Sequence, residues 1–189
     1  MLWLFISKVE GCKRKDRIKK KIVNEELHKY FIKNQLDENY KEISYSYCDE
    51  YIVCAISSEN KIGVDMENQQ YINTNKAGVS IIFRKDSSKL LTQSNLTLIW
   101  TIHEAIGKFE GVGLYQPIEL QEIKKINIKK EKIEILNRKE IYKLKKYHIK
   151  YLFAGEKKNI YAYSCEFLSY MILVVKKGEG EHTNERKNY

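Results

Sequence analysis

"ISYSYCDEYIVCAISSENKIGVDMEN", residues 43–68, sets three apolar patterns in a row. "ISYSY" alternates, "YIVCAI" is a compact apolar run, and "KIGVDME" alternates again after the turn-like Ser57–Asn60. Period-two alternation belongs to a strand covered on one face, and a short apolar run between turn signals is consistent with one covered on both. Three such segments joined by short polar turns predict an antiparallel sheet. Upstream, Leu2–Ile6 is a further apolar strand. Then "CKRKDRIKKKIVNEELHKYFIKNQ" places Ile22, Val23, Leu27, Tyr30 and Phe31 at helical spacing behind a basic entry, predicting a helix over about 16–35. Downstream, a strong helix is expected over Leu96–Phe109, and "INIKKEKIEIL", "HIKYLFA" and "NIYAYSCEF" read as strands of a second sheet. Residues 71–96 carry weaker helical signals at "AGVSIIF" and "DSSKLLTQ". The order helix, strands, helix, strands predicts an α+β fold of two pseudo-symmetric halves, each an antiparallel sheet packed with helix. The halves are expected over about 1–70 and 71–175 of a single domain, 1–175, followed by a disordered charged tail, 176–189.

The composition fits a folded globular chain. Of 189 residues, 43% are apolar and 31% charged, and the 14 Tyr, 6 Phe and 2 Trp are too many for a disordered chain. The formal charge of +9 favours an acidic or polyanionic partner. Charge is all that points to nucleic acid, since no helix-turn-helix, zinc site or interleaved aromatic platform accompanies it, so no nucleic-acid partner is expected. Cys12, Cys48, Cys54 and Cys165 are scattered with no C-x-x-C spacing, which reads as free thiols in a reducing, cytoplasmic compartment. The apolar start Leu2–Ile6 is too short for a signal, and the apolar stretch Phe167–Val175 is half a membrane span and reads as a strand. A monomer without a membrane anchor is expected.

Two segments carry chemistry. In "KIGVDMEN", Ile62, Val64 and Met66 point to the core, so Gly63, Asp65 and Glu67 share the opposite face, with the two carboxylates about 7 Å apart. That pair suits a hard divalent cation, and it equally suits the solvated face of a half-buried strand. In "WTIHEAIGKFEGVGLYQP", residues 100–117, a helical turn of ~100° per residue puts Ile102, Ala105, Ile106 and Phe109 on one stripe with Leu98, and sets Glu104 beside Lys108 on the polar side. A surface ion pair is one explanation of Glu104 and Lys108. Gly107 weighs against it, because glycine inside an exposed helix costs roughly 1 kcal/mol and implies close approach of a ligand or of the chain. Gly111 and Gly113 end the helix, and Pro117 prevents its resumption.

These segments, in this order and some forty residues apart, resemble the paired signature of the 4′-phosphopantetheinyl transferase superfamily. Its pattern is G-(I/V)-D-(I/V/L)-E, then W-x-x-K-E-A-x-x-K with G-x-G-L-x-x-P behind it. The match holds at Gly63, Asp65, Glu67, Trp100, Glu104, Ala105, Lys108, Gly111, Gly113, Leu114 and Pro117. More loosely, "KRKDRIKKKIVNEEL" is similar to the family's basic first helix, "ISYSYCDEYIVCAI" to its I-S-H-S strand, and "YHIKYLFAGEKKNIYAYSCE" to its closing sheet. The resemblance implies an enzyme moving the phosphopantetheine arm of coenzyme A onto a serine of an acidic acyl or peptidyl carrier protein. It implies Mg²⁺ held by Asp65, Glu67 and Glu104, with Glu104 also the base for the carrier serine, and Lys108 neutralising the pyrophosphate as adenosine 3′,5′-bisphosphate departs. Coenzyme A contacts are implied at Lys20, Lys41, Ser44, Tyr45, His103 and Lys108.

The chain departs from the family pattern in three places. His103 replaces the lysine before the glutamate, exchanging a permanent cation for a group that titrates near pH 6.5. Beside a phosphate its pKa would be raised; on a solvent-facing helix flank it would serve nothing. Tyr45 stands where the family often has a histidine. Against the family pattern, much of the usual N-terminal extension and the G-K-P segment before the I-S-H-S strand are expected to be lacking, for which Lys13, Arg14, Arg17, Lys20 and Lys41 could compensate. The alternative expectation is a family member that binds coenzyme A or a carrier without turnover.

Overall fold

The computed structural model describes residues 2–9, 16–36, 39–69, 96–113, 118–127, 133–137 and 144–177. In chain order the elements are β1 (Leu2–Lys8), α1 (Asp16–Lys33), β2 (Glu42–Cys48), β3 (Tyr51–Ser57), β4 (Ile62–Asn68), α2 (Leu96–Glu110), β5 (Ile118–Ile126), β6 (Ile133–Ile135), β7 (Lys145–Phe153), β8 (Glu156–Phe167) and β9 (Tyr170–Lys176). The chain is α+β, with one sheet ordered β2-β3-β1-β6 and a second ordered β4-β9-β8-β7-β5.

Three apolar clusters stack these elements into four layers. Val23, Leu27 and Phe31 of α1 pack on Phe5, Ile52, Cys54 and Ile56 of the first sheet. The other face of that sheet, Leu4, Ile6, Val53 and Ala55, packs on Val64, Met66, Ile172 and Val174 of the second. Ile99, Ile102, Ala105 and Ile106 of α2 then cover Ile149, Ile160, Leu173 and Val175 on the far side. Strand β3 is covered on both faces, which is why its sequence runs apolar without alternating.

Several expectations are corrected. Strand β4 does not join β2 and β3 in one sheet. It pairs antiparallel with β9, Gly63 opposite Val175 and Asp65 opposite Leu173, and forms the edge of the second sheet. Alternation marks which face is apolar and leaves the backbone partner open. The outward amides of that edge are covered by β2, where Ser44 Oγ accepts from Val64 N–H at 3.1 Å and Ser46 Oγ from Met66 N–H at 3.2 Å. Of "INIKKEKIEIL", Ile133–Ile135 forms β6, which pairs parallel with β1 in the first sheet. The halves therefore exchange a strand each way, so neither carries a sheet of its own. Strand β5 was not foreseen, because a register shift between Leu120 and Glu122 interrupts its alternation. Within Phe167–Val175 the chain turns, with Leu168 at φ 53, so the stretch contributes to two strands instead of one.

Helix α1 ends two residues before the expected limit, with Gln35 at φ 50 and Leu36 N–H bonded to the Phe31 carbonyl at 3.0 Å. The helices expected at "AGVSIIF" and "DSSKLLTQ", and residues 178–189 of the expected tail, lie outside the described residues. Among the described residues no helix is long and apolar enough to cross a membrane.

Candidate active site

Strand β4 presents Gly63, Asp65 and Glu67 to α2, the opposite face from Ile62, Val64 and Met66, as the alternation predicts. That face is covered, not solvated, and Asp65 is 3% exposed. The helix lies nearly backbone to backbone on the strand at Gly63, where a Cβ would stand 2.1 Å from the Ala105 carbonyl oxygen and 2.7 Å from the Phe109 nitrogen. The absence of a side chain at Gly63 lets Glu104 and Lys108 approach Asp65.

Lys108 does not pair with Glu104 along the helix. Its ammonium donates to Asp65 Oδ1 at 2.7 Å and to Ser46 Oγ at 3.1 Å. Ser46 in turn donates to the same Asp65 oxygen at 2.8 Å. The second oxygen, Oδ2, is buried without a hydrogen-bond partner. Trp100 Nε1–H donates to Glu67 Oε1 at 2.9 Å, a role for the motif tryptophan that its position alone does not reveal.

The three carboxylates sense one another. Burial, then Asp65, pushes the Glu67 carboxyl up to about 7, with Glu104 adding to the rise and the Trp100 hydrogen bond and Lys108 opposing it. Burial and Asp65 also raise Glu104, opposed by Lys108. Desolvation and like charge both disfavour ionisation, and a group of this kind accepts a proton or a cation readily. Among the described residues no three His, Cys, Asp or Glu side chains stand where they could hold a metal together. Cys48 borders the group, but burial and the charges of Asp49, Glu67 and Asp65 push its thiol up to about 12, which leaves no thiolate nucleophile.

Gly107 and Gly113 are explained by the chain itself. A Cβ on Gly107 would lie 2.2 Å from the Gly113 carbonyl oxygen, because the segment after the helix folds back over it. The amides of Gly111, Val112 and Gly113 all donate to the Gly107 carbonyl, at 3.0, 3.0 and 3.1 Å. At the same end Glu110 accepts from the Tyr151 hydroxyl at 2.7 Å and from Lys158 at 3.1 and 3.2 Å, anchoring α2 to β7 and β8. Sequence reasoning missed Ser46 and this anchor. The signals for Ser46 were its alternation with Ser44 on the face of β2 opposite the tyrosines and its place in the I-S-H-S-like stretch.

The positions expected to contact coenzyme A fall in different places. Ser44 faces β4, where its hydroxyl accepts from Val64 N–H. Tyr45 points the other way, packs with the α1 cluster and donates its hydroxyl to Asn24, while the Lys20 ammonium lies 5.3 Å from its ring centroid. An open groove of about 610 Å³ beside Lys20 and Asn24 is lined by α1 residues, Glu25 among them, and does not include Asp65, Glu67 or Glu104. Lys41 is exposed just before β2, its amide bonded to the Ser57 carbonyl at 2.9 Å. His103 is 3% exposed, and burial lowers its pKa to about 4. The expectation of a solvent-facing histidine is corrected, because α2 turns His103 into the interior.

No family model and no curated protein matches the chain.

Proposed function

We propose that the chain is a Mg²⁺-dependent 4′-phosphopantetheinyl transferase acting on an acidic carrier protein. The observation that carries this is the seating of α2 across Gly63, which gathers Asp65, Glu67, Glu104 and Lys108 from two segments some forty residues apart. Mg²⁺ takes one or two carboxylates together with phosphate oxygens and water, so a three-residue cage is not required. Asp65, with a buried Oδ2 that lacks a partner, together with one of the two raised carboxyls beside it, Glu67 or Glu104, fits such an ion. When bound, it would neutralise charge on the pyrophosphate.

The carrier serine oxygen attacks the pyrophosphate phosphorus that bears the pantetheine arm. A serine O–P bond forms and the bridging P–O bond breaks, its electron pair leaving with adenosine 3′,5′-bisphosphate. The serine proton passes to Glu104, whose proton affinity is raised by burial. The test mixes the chain with coenzyme A, Mg²⁺ and a panel of apo carriers, and follows the mass gain of the arm. Asp65→Ala or Glu104→Gln should lower transfer at least about a hundredfold, the loss of roughly 3 kcal/mol at a developing charge. Near-normal transfer by both variants, or no mass gain on any carrier, overturns the proposal. The placement of Lys20 and Tyr45 on the opposite face of β2 from the carboxylates favours a second reading, a member that binds coenzyme A without turnover. Binding without mass gain would select it.

A further inference from the structure

The Asp65 carboxylate is 4% exposed and holds the Lys108 ammonium at 2.7 Å. Its Oδ2 has no hydrogen-bond partner, and the Glu67 and Glu104 carboxyls lie near enough to feel its charge. A carboxylate so enclosed cannot turn to water, and leaving it without a positive partner would cost several kcal/mol. The lysine differs from it in access, being 29% exposed along its side chain. It also has four flexible carbons with which to swing outward. We propose that Lys108 is the resident counter-ion of this site, holding Asp65 in the absence of a divalent cation and withdrawing when one binds.

The inference rests on the divalent-cation reading above. The ammonium sits on Oδ1, and a Mg²⁺ on the partnerless Oδ2, at about 2.0–2.1 Å from its ligand, would stand only a few ångströms away across the same carboxylate and repel it. Ser46 can remain on Asp65 while the ammonium leaves, since its hydroxyl donates to the carboxylate independently. Cation binding and lysine exposure are then linked, and by reciprocity the ammonium weakens the cation.

The test acetylates lysines of the full chain with and without saturating Mg²⁺, reads each site by peptide mass spectrometry, and measures Mg²⁺ binding by calorimetry. Lys158 is an internal reference, since it is 31% exposed and is bonded to Glu110 at the opposite side of α2. Lys108 labelling should rise several-fold with Mg²⁺ while Lys158 labelling stays level. Lys108→Met should bind Mg²⁺ about tenfold more tightly, because no ammonium has to be displaced. Mg²⁺ binding with unchanged Lys108 labelling, or no tighter binding by a folded Lys108→Met, overturns the inference and leaves the cation reading standing. No Mg²⁺ binding by the parent chain overturns both. Should Lys108→Met fail to fold, labelling of the parent chain decides alone.

Discussion

A methyl group at Gly63 would collide with two backbone atoms of α2, neither of which can rotate away, so the strand and helix must separate to admit it. Gly63→Ala is therefore expected to cost about 2–3 kcal/mol in chemical denaturation and to lower activity, despite alanine's better strand behaviour. Gly111 is different: nothing lies within 4 Å of its Cβ position, but its φ is +84°, so Gly111→Ala should cost only about 1 kcal/mol, as backbone strain. A parental midpoint for Gly63→Ala would show that the contact yields. At His103 the quantity at stake is a proton. Its folded pKa of about 4 lies below the unfolded 6.5, so the unfolded chain binds the proton first and stability is lost as pH falls through that window. Glu67 acts in the opposite sense: its carboxyl is raised to about 7, so its contribution is present at low pH and is lost as pH rises through that value. Comparing the parent with His103→Gln cancels Glu67. Acidification from pH 7.5 to 4.5 should lower the parent's stability relative to the variant by about 2–3 kcal/mol. A pH-independent difference would mean the imidazole is protonated as easily folded as unfolded.

At the scale of elements, the junction of β2 with β4 joins the two sheets through serine hydroxyls instead of a backbone ladder. Ser44 satisfies one amide, whereas Ser46 satisfies one amide and also supports Asp65 and Lys108. Ser46→Ala should cost about 1–3 kcal/mol, since it strands a buried amide and removes a donor from a buried carboxylate. Ser44→Ala should cost about 1 kcal/mol and leave transfer closer to the parent's. Denaturation and the carrier mass-gain assay together check this, and equal losses of activity in both variants would place the effect in sheet pairing alone.

At the scale of the whole molecule, the +9 charge acts on encounter with a partner. If the partner is an acidic carrier, its apparent KM should climb between low and moderate salt while turnover changes little, because exposed charges are screened over ~8–10 Å at ordinary ionic strength. A flat salt response would mean docking through apolar contacts.

The α+β class, most elements and the faces that carry Asp65, Glu67, Glu104 and Lys108 were legible in the sequence, because local periodicity reports which face of a strand or helix is apolar. "KIGVDME" thus announced its two faces correctly. What covers the second face was not written there: only the packing of α2 buried Asp65 and left Glu67 half-buried in an apparently solvated Asp-x-Glu, and only strand pairing moved β4 to β9 and β6 to β1. His103 and Lys108 follow the same rule, one drawn into the interior and the other turned from Glu104 to Asp65. A side chain's charge state and partner depend on desolvation and on neighbours distant in the chain, and those are set by tertiary packing.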